Sequence, residues 1–179
     1  MLAHLGISGP DVLIISSLAK AFGVPVAILS GSNKAVEEFE LKSQTRMHCS
    51  PPSQPVIRAA QHALAVNRAQ GDRLRQRLAS LVTRFRHRST QAGFRLSGDL
   101  FPVQSISLAR EEDVVKLHER LLTHGVRTIL HRVGDEGGLR LSFLLSARHS
   151  FADIDHAASA LAKSRAVSGV SNKKQSGGI

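Results

Sequence analysis

Lys20 stands between two short apolar runs, DVLIIS (11–16) and VPVAILSG (24–31), with Ser17 three residues before it. A lysine amine becomes a useful nucleophile when burial or nearby cations lower its pKa. A Schiff base to an aldehyde cofactor exploits that chemistry, and the cofactor then serves as an electron sink for a carbanion. Small residues beside Lys20 let such a cofactor approach, and the Ser17 hydroxyl can reach a phosphate. Arg140 lies in the strand-like run LRLSFLLSA (139–147). Its guanidinium can clamp a carboxylate through two parallel hydrogen bonds.

The elements that must position these residues follow from patterning. The two apolar runs read as buried strands of a parallel sheet, and SLAKAFG between them is too short and small-residue-rich for a helix. Asn33 can cap a helix over about residues 34–42, and HCSPPSQP (48–55) is a loop. A long helix is predicted from about Pro55 to Arg88, with Leu74, Leu78, Leu81, Val82 and Phe85 on one face and a bend or break at Gly71. Then FPVQSISL (101–108) alternates as a strand. An amphipathic helix covers 111–124 and stops at Gly125. VRTILHR (126–132) and LRLSFLLSA (139–147) are strands around a GDEGG turn (134–138). Ser150 and Asp153 form a capping box before a last helix, and the polar, Gly-rich end is expected to be disordered.

With these elements placed, GPDVLIISSLAKAFGVPVAILSGS resembles the lysine segment of the α-oxoamine synthases, the group that includes 8-amino-7-oxononanoate synthase and is akin to the class I/II aminotransferases. Asp11, Ser17, Lys20, Phe22 and Gly23 carry the likeness. CSPPSQPVIRAAQHAL (49–64) resembles the family's Ser/Pro-Pro loop and following helix. GLRLSFLLSARHSFADIDHAASAL (138–161) resembles its C-terminal strand, Ala-x-His element and last helix. The resemblance spans about residues 5–163. It implies the C-terminal part of a fold type I transferase dependent on pyridoxal 5'-phosphate (PLP), an α/β fold. Residues 1–50 would end the large cofactor domain, 51–95 would be a linking long helix, 96–163 a small α/β domain, and 164–179 a disordered tail.

The resemblance also implies roles. Lys20 would hold the cofactor and act as a base near the substrate Cα, and Ser17 would touch the phosphate. His48 stands where the family usually has a phosphate-binding Thr, three residues before the Pro-Pro pair. The family's carboxylate-binding arginine falls seven residues before the Ala-x-His histidine, at Ser142 here. Arg140, two residues earlier on the same strand face, is the candidate for that task. Amino-acid and acyl-thioester substrates and a homodimer are implied as well. The family's earlier half, with its pyridine-pairing Asp and Gly-rich loop, has no counterpart here, so the chain alone is expected to be an incomplete enzyme. A class I/II aminotransferase, an inactive fragment and a basic anion-binding module stay open.

Composition bounds the rest. The 179 residues are 42% apolar, without Trp or Tyr, so the core must come from aliphatic residues and the seven Phe. One cysteine, Cys49, permits no internal disulfide and fits a cytoplasmic location. No apolar run approaches the ~20 residues of a membrane helix. The net charge of +10 gathers at Arg68, Arg73, Arg75, Arg77, Arg84, Arg86 and Arg88. These lie opposite an apolar stripe and lack a stacking platform, so a solvated or subunit-contact face is expected rather than a nucleic-acid interface. His118 and His124, six apart on a helix, do not present two ligands on one face, so no metal site is expected.

Overall fold

The apolar runs around Lys20 pair with each other. The structure, a computed structural model, describes residues 6, 9–44, 49–134 and 138–166. The chain divides into two compact units, residues 1–71 and 72–179, each described by itself.

In the first unit, strands β1 (Ile14–Ser17) and β2 (Ala27–Ser30) form a two-stranded sheet. The pairing is antiparallel, from Ile14 opposite Ser30 to Ser17 opposite Ala27, and not parallel as the apolar runs suggested. Two strands joined by nine residues cannot make a parallel crossover, which needs a dozen or more. β1 is exposed along its length, with Ile15 at 70%, so these strands are not buried among the described residues. Between them Leu18–Ala21 forms a single helical turn, α1, where a loop was expected. Helix α2 (Asn33–Lys42) is capped by Ser32, whose hydroxyl accepts from the Ala35 N–H at 3.3 Å and donates to the Pro10 carbonyl at 2.9 Å. The expected cap, Asn33, is instead the first helical residue.

Helix α3 (Gln54–Gln91) is 38 residues long and continues through Gly71 without a break. A single glycine costs only ~1 kcal/mol relative to alanine, and a long helix tolerates it. Its first half packs Val56, Ala60 and Ala63 with Leu18 and Val24 in a small apolar cluster of the first unit.

In the second unit, strands β3 (Val103–Ile106), β4 (Ile129–Arg132) and β5 (Leu139–Leu144) form an antiparallel sheet of order β3-β5-β4. Helix α4 (Glu111–Thr123) precedes β4 and ends before Gly125, whose φ of +75° lets the chain reverse. Helix α5 (Phe151–Ala166) follows β5. The predicted order of strands and helices from residue 101 onward is therefore the observed one. Ile106, Leu141 and Phe143 of the sheet share one core with Leu81, Val82 and Phe85 of α3, Leu117 and Leu121 of α4, and Ile154 and Leu161 of α5. The Phe85 and Phe143 rings meet at 4.9 Å between centroids, tilted by 53°. Leu74, at the start of the predicted stripe, is 38% exposed.

The capping box forms as read. Asp153 N–H donates to the Ser150 hydroxyl at 3.1 Å, and Ser150 N–H donates back to the Asp153 carboxylate at 2.7 Å. The tail expected from residue 164 is helical through Ala166. The remainder of that tail, the middle of the GDEGG turn (135–137) and His48 lie outside the described residues.

Candidate active site and family

The turn carrying Lys20 is built by backbone hydrogen bonds to one residue. Leu18 N–H donates to the Val26 carbonyl at 2.9 Å, which fixes where β1 ends. The Leu18 carbonyl accepts from Phe22 N–H at 3.0 Å and Val24 N–H at 3.3 Å. Gly23, at φ +65°, makes the reversal between them in a conformation that costs a side-chain-bearing residue. Leu18 and Val24 are buried in the cluster with Ala60. Their burial turns the polar residues outward, and Ser17 and Lys20 are both exposed.

Ser17 is the N-cap of this turn, in extended conformation (φ −82°, ψ 119°), and its hydroxyl makes no capping hydrogen bond. Residues three apart on a helical turn are neighbours on its surface. Lys20 thus stands three residues after a hydroxyl that makes no capping hydrogen bond, on an anchored turn. Ala19, Ala21 and Gly23 surround them without bulk. This donor set fits PLP, whose aldehyde needs an amine and whose phosphate needs donors.

Arg140 lies on β5 in the second unit, directly across from His131 of β4. It shares a sheet face with Ser142. Among the described residues no carboxylate pairs with Arg140. Ser142 is only 2% exposed. Its hydroxyl lies 2.8 Å from His131 Nε2 and 2.7 Å from the Ser105 hydroxyl. The position that the resemblance reserved for an arginine is therefore a closed Ser105–Ser142–His131 hydrogen-bonded chain, with Arg140 beside it. Sequence reasoning did not find His131. The hairpin around 134–138 was the available signal, since such a turn brings residue 131 opposite residue 140.

The basic cluster on α3 is mostly exposed, as expected of a solvated face, and several of its arginines are also bonded within the second unit. Arg84 makes a bidentate pair with Asp155 at 2.7 and 2.6 Å, and Arg88 reaches the same carboxylate at 3.1 Å. Those guanidinium hydrogen bonds hold Asp155 below the ordinary carboxylate range and push Arg84 up. Arg77 donates to the Ala147 and His149 carbonyls, and Arg86 to buried Gln104. Of the two histidines considered as metal ligands, His118 Nδ1 is 2.7 Å from the Thr128 hydroxyl, and the His124 carbonyl accepts from His156. Among the described residues no three His, Cys, Asp or Glu side chains gather to hold a metal, and no helix is long and apolar enough to cross a membrane.

Known proteins are similar to this chain in sequence and in fold. The family described as aminotransferase class I and II matches residues 3–161. The 8-amino-7-oxononanoate synthase of Thioalkalivibrio sulfidiphilus is 33% identical over 166 residues, covering 91% of this chain and 42% of that protein. The synthase of Marinobacter nauticus is 32% identical over 165 residues, 90% of this chain and 42% of its own length. This chain thus spans about two-fifths of the curated relatives it matches. Among solved structures, 8-amino-7-oxononanoate synthase from Francisella tularensis superposes with a TM-score of 0.68 at 23% identity, over 85% of this chain and 45% of that one. Serine palmitoyltransferase from S. paucimobilis, solved with PLP and myriocin, gives a TM-score of 0.74 at 16% identity, over 94% and 43%. The fold is accordingly a part of the α/β fold of these type I PLP enzymes, and this chain belongs to the aminotransferase class I and II family.

Proposed function

We propose that this chain supplies the lysine turn and the small domain of a PLP-dependent acyltransferase of the 8-amino-7-oxononanoate synthase type. In this reading residues 1–50 end the cofactor domain, 51–95 link, and 96–163 form the small domain. The observation that carries it is the exposed Ser17–Lys20 turn, anchored from beneath by Leu18 and Val24. PLP, when bound, supplies an electron sink for a carbanion at the substrate Cα. Lys20 Nζ would hold the cofactor through its aldehyde, and its free amine would take and return a proton at the substrate Cα. The Ser17 hydroxyl donates to the phosphate, and His48 is the second phosphate donor. Arg140 clamps the carboxylate of an amino acid whose partner substrate is an acyl thioester. The working assembly is a cytoplasmic homodimer. A class I/II aminotransferase is the second reading, favoured by the matched family's description, because the same turn serves both reactions.

The test is labelling. The full chain is mixed with PLP, reduced with borohydride and digested, and the label is located by mass spectrometry. Lys20 should carry it, with violet absorbance before reduction. A Lys20→Ala chain should lose most of the label, whereas Lys34→Ala, altered on α2, should keep it. Equal losses in the two variants would sink the proposal. Light scattering of the same samples reads the dimer.

A further inference from the structure

In the sheet of the second unit, His131 of β4 stands directly opposite Arg140 of β5, and Ile129 directly opposite Ser142. Opposed residues of an antiparallel pair share a face, with Cβ atoms ~4.5–5.5 Å apart. Ser105 of β3 is opposite Ser142 and joins that face. The other face sends Leu141 and Phe143 into the core. On the first face Ile129 and Leu144 are exposed, so it is open to solvent. Arg140 is half-buried there, and among the described residues no carboxylate pairs with it.

The bonds of His131 let its charge change in place. Its Nδ1 faces the Arg132 carbonyl at 3.4 Å, and a carbonyl only accepts, so the neutral ring carries its hydrogen on Nδ1. Nε2 then accepts from the Ser142 hydroxyl at 2.8 Å, and Ser142 accepts in turn from the Ser105 hydroxyl at 2.7 Å. A proton added on Nε2 reverses the chain: His131 donates to Ser142, and Ser142 to Ser105. Rotation of two hydroxyls is enough, and no hydrogen bond is lost.

The charges around the ring are few. From β5 Arg140 faces it, and β3 (Val103–Ile106) holds no ionisable residue. Arg132, next on β4, turns to the opposite side of the strand and is held by both carboxylate oxygens of Glu111 from α4. A protonated His131 thus meets Arg140 as its cross-strand neighbour, and like charges directly opposite repel. An anion held at Arg140 offsets that repulsion.

We propose that His131 is a positioning residue for a carboxylate held at Arg140, so that the site takes up a carboxylate together with a proton. This rests on the reading of Arg140 as the carboxylate clamp and adds what sets its affinity. The coupling is electrostatic and acts through space, so the imidazole need not touch the ligand. By linkage, a bound carboxylate favours the imidazolium, and protonation strengthens carboxylate binding by the same factor. An arginine and a simple carboxylate both keep their charge between about pH 6 and about pH 8.5, whereas an imidazole changes its own.

The test uses the isotope-labelled full chain without PLP, with acetate as probe and chloride holding the ionic strength constant. Titrations followed at the β5 amides should show acetate binding about tenfold tighter near pH 6 than near pH 8.5, a coupling of ordinary size. The His131 ring resonances should titrate at higher pH in acetate than in chloride. In His131→Gln, whose amide can still donate to Ser142, acetate affinity should no longer follow pH, although every other histidine remains. Arg140→Gln should abolish binding. A flat affinity in the natural chain, equal His131 titration in the two salts, or undiminished pH dependence in His131→Gln would each overturn the proposal and leave the clamp standing. Unchanged acetate binding in Arg140→Gln would overturn the clamp itself, and the proposal with it.

Discussion

Asp155 shows what one carboxylate does for the second unit. It receives both branches of Arg84 and a further contact from Arg88, residues that lie some seventy positions earlier. The Arg84 hydrogen bonds, and then the charges of Arg84 and Arg88, favour the ionised carboxylate and depress its pKa. A depressed pKa stabilises the folded state above the unfolded value, near ~3.9 for Asp, and that stability is lost as pH falls through the folded pKa. Asp155→Asn should therefore lower the melting temperature at neutral pH. The gap to the natural chain should close as acid protonates Asp155. A gap that stays constant down to strongly acidic pH would show that the loss is steric rather than electrostatic. The contrast with Lys20 is instructive. The spacing of Ser17 and Lys20 was legible because both residues lie on one local turn. The Arg84–Asp155 pairing was not, because its partners meet only after α3 and α5 have packed.

Among elements, the capping box of α5 was read correctly from a local signal, whereas the cap of α2 fell one residue early and the turn α1 was taken for a loop. The capping box of α5 needs only Ser150 and Asp153, three residues apart, and both hydrogen bonds form. Ser150→Ala should cost about 1 kcal/mol in denaturant unfolding of the second unit, the usual worth of such a cap. No loss in midpoint would mean the helix start is held by tertiary packing alone. The stripe on α3 was also visible, and its residue Phe85 is buried against Phe143. Phe85→Ala should cost ~3–5 kcal/mol, the range for emptying an aromatic site in a core. Strand pairing was misread where periodicity is silent. Apolar runs such as LIIS and VAIL carry no direction, and only the shortness of the link between them requires antiparallel pairing. The central place of β5 was equally hidden, since sheet order depends on long-range partners. The Ser105–Ser142–His131 chain depends on that order, because Ser142 reaches both outer strands only from the middle.

On the scale of the whole molecule, the two units are built to unequal strength. The second unit gathers seventeen buried apolar residues in one cluster, whereas the first has three among the described residues. A lone two-stranded sheet is marginal in water, and β1 leaves Ile15 largely exposed. Local opening draws on such regions first. In hydrogen exchange, the amides of β5, hydrogen-bonded on both sides, should be the slowest. Those of β1 and β2 should exchange faster by on the order of a hundredfold or more, because opening a small cluster costs far less than the ~5–15 kcal/mol of global unfolding. The helix α3 should divide accordingly, with residues 54–71 exchanging alongside the hairpin and residues 81–91 alongside β5. Equal protection of β1 and β5 would show that the Lys20 turn rests on more than its own small cluster. Fast exchange throughout α3 would show that the long helix does not hold through Gly71. If PLP binds at Lys20, its addition should slow the β1 and β2 amides selectively, since a ligand stabilises only states that bind it. That slowing should disappear in Lys20→Ala, while the β5 amides, in the other unit, stay as they were.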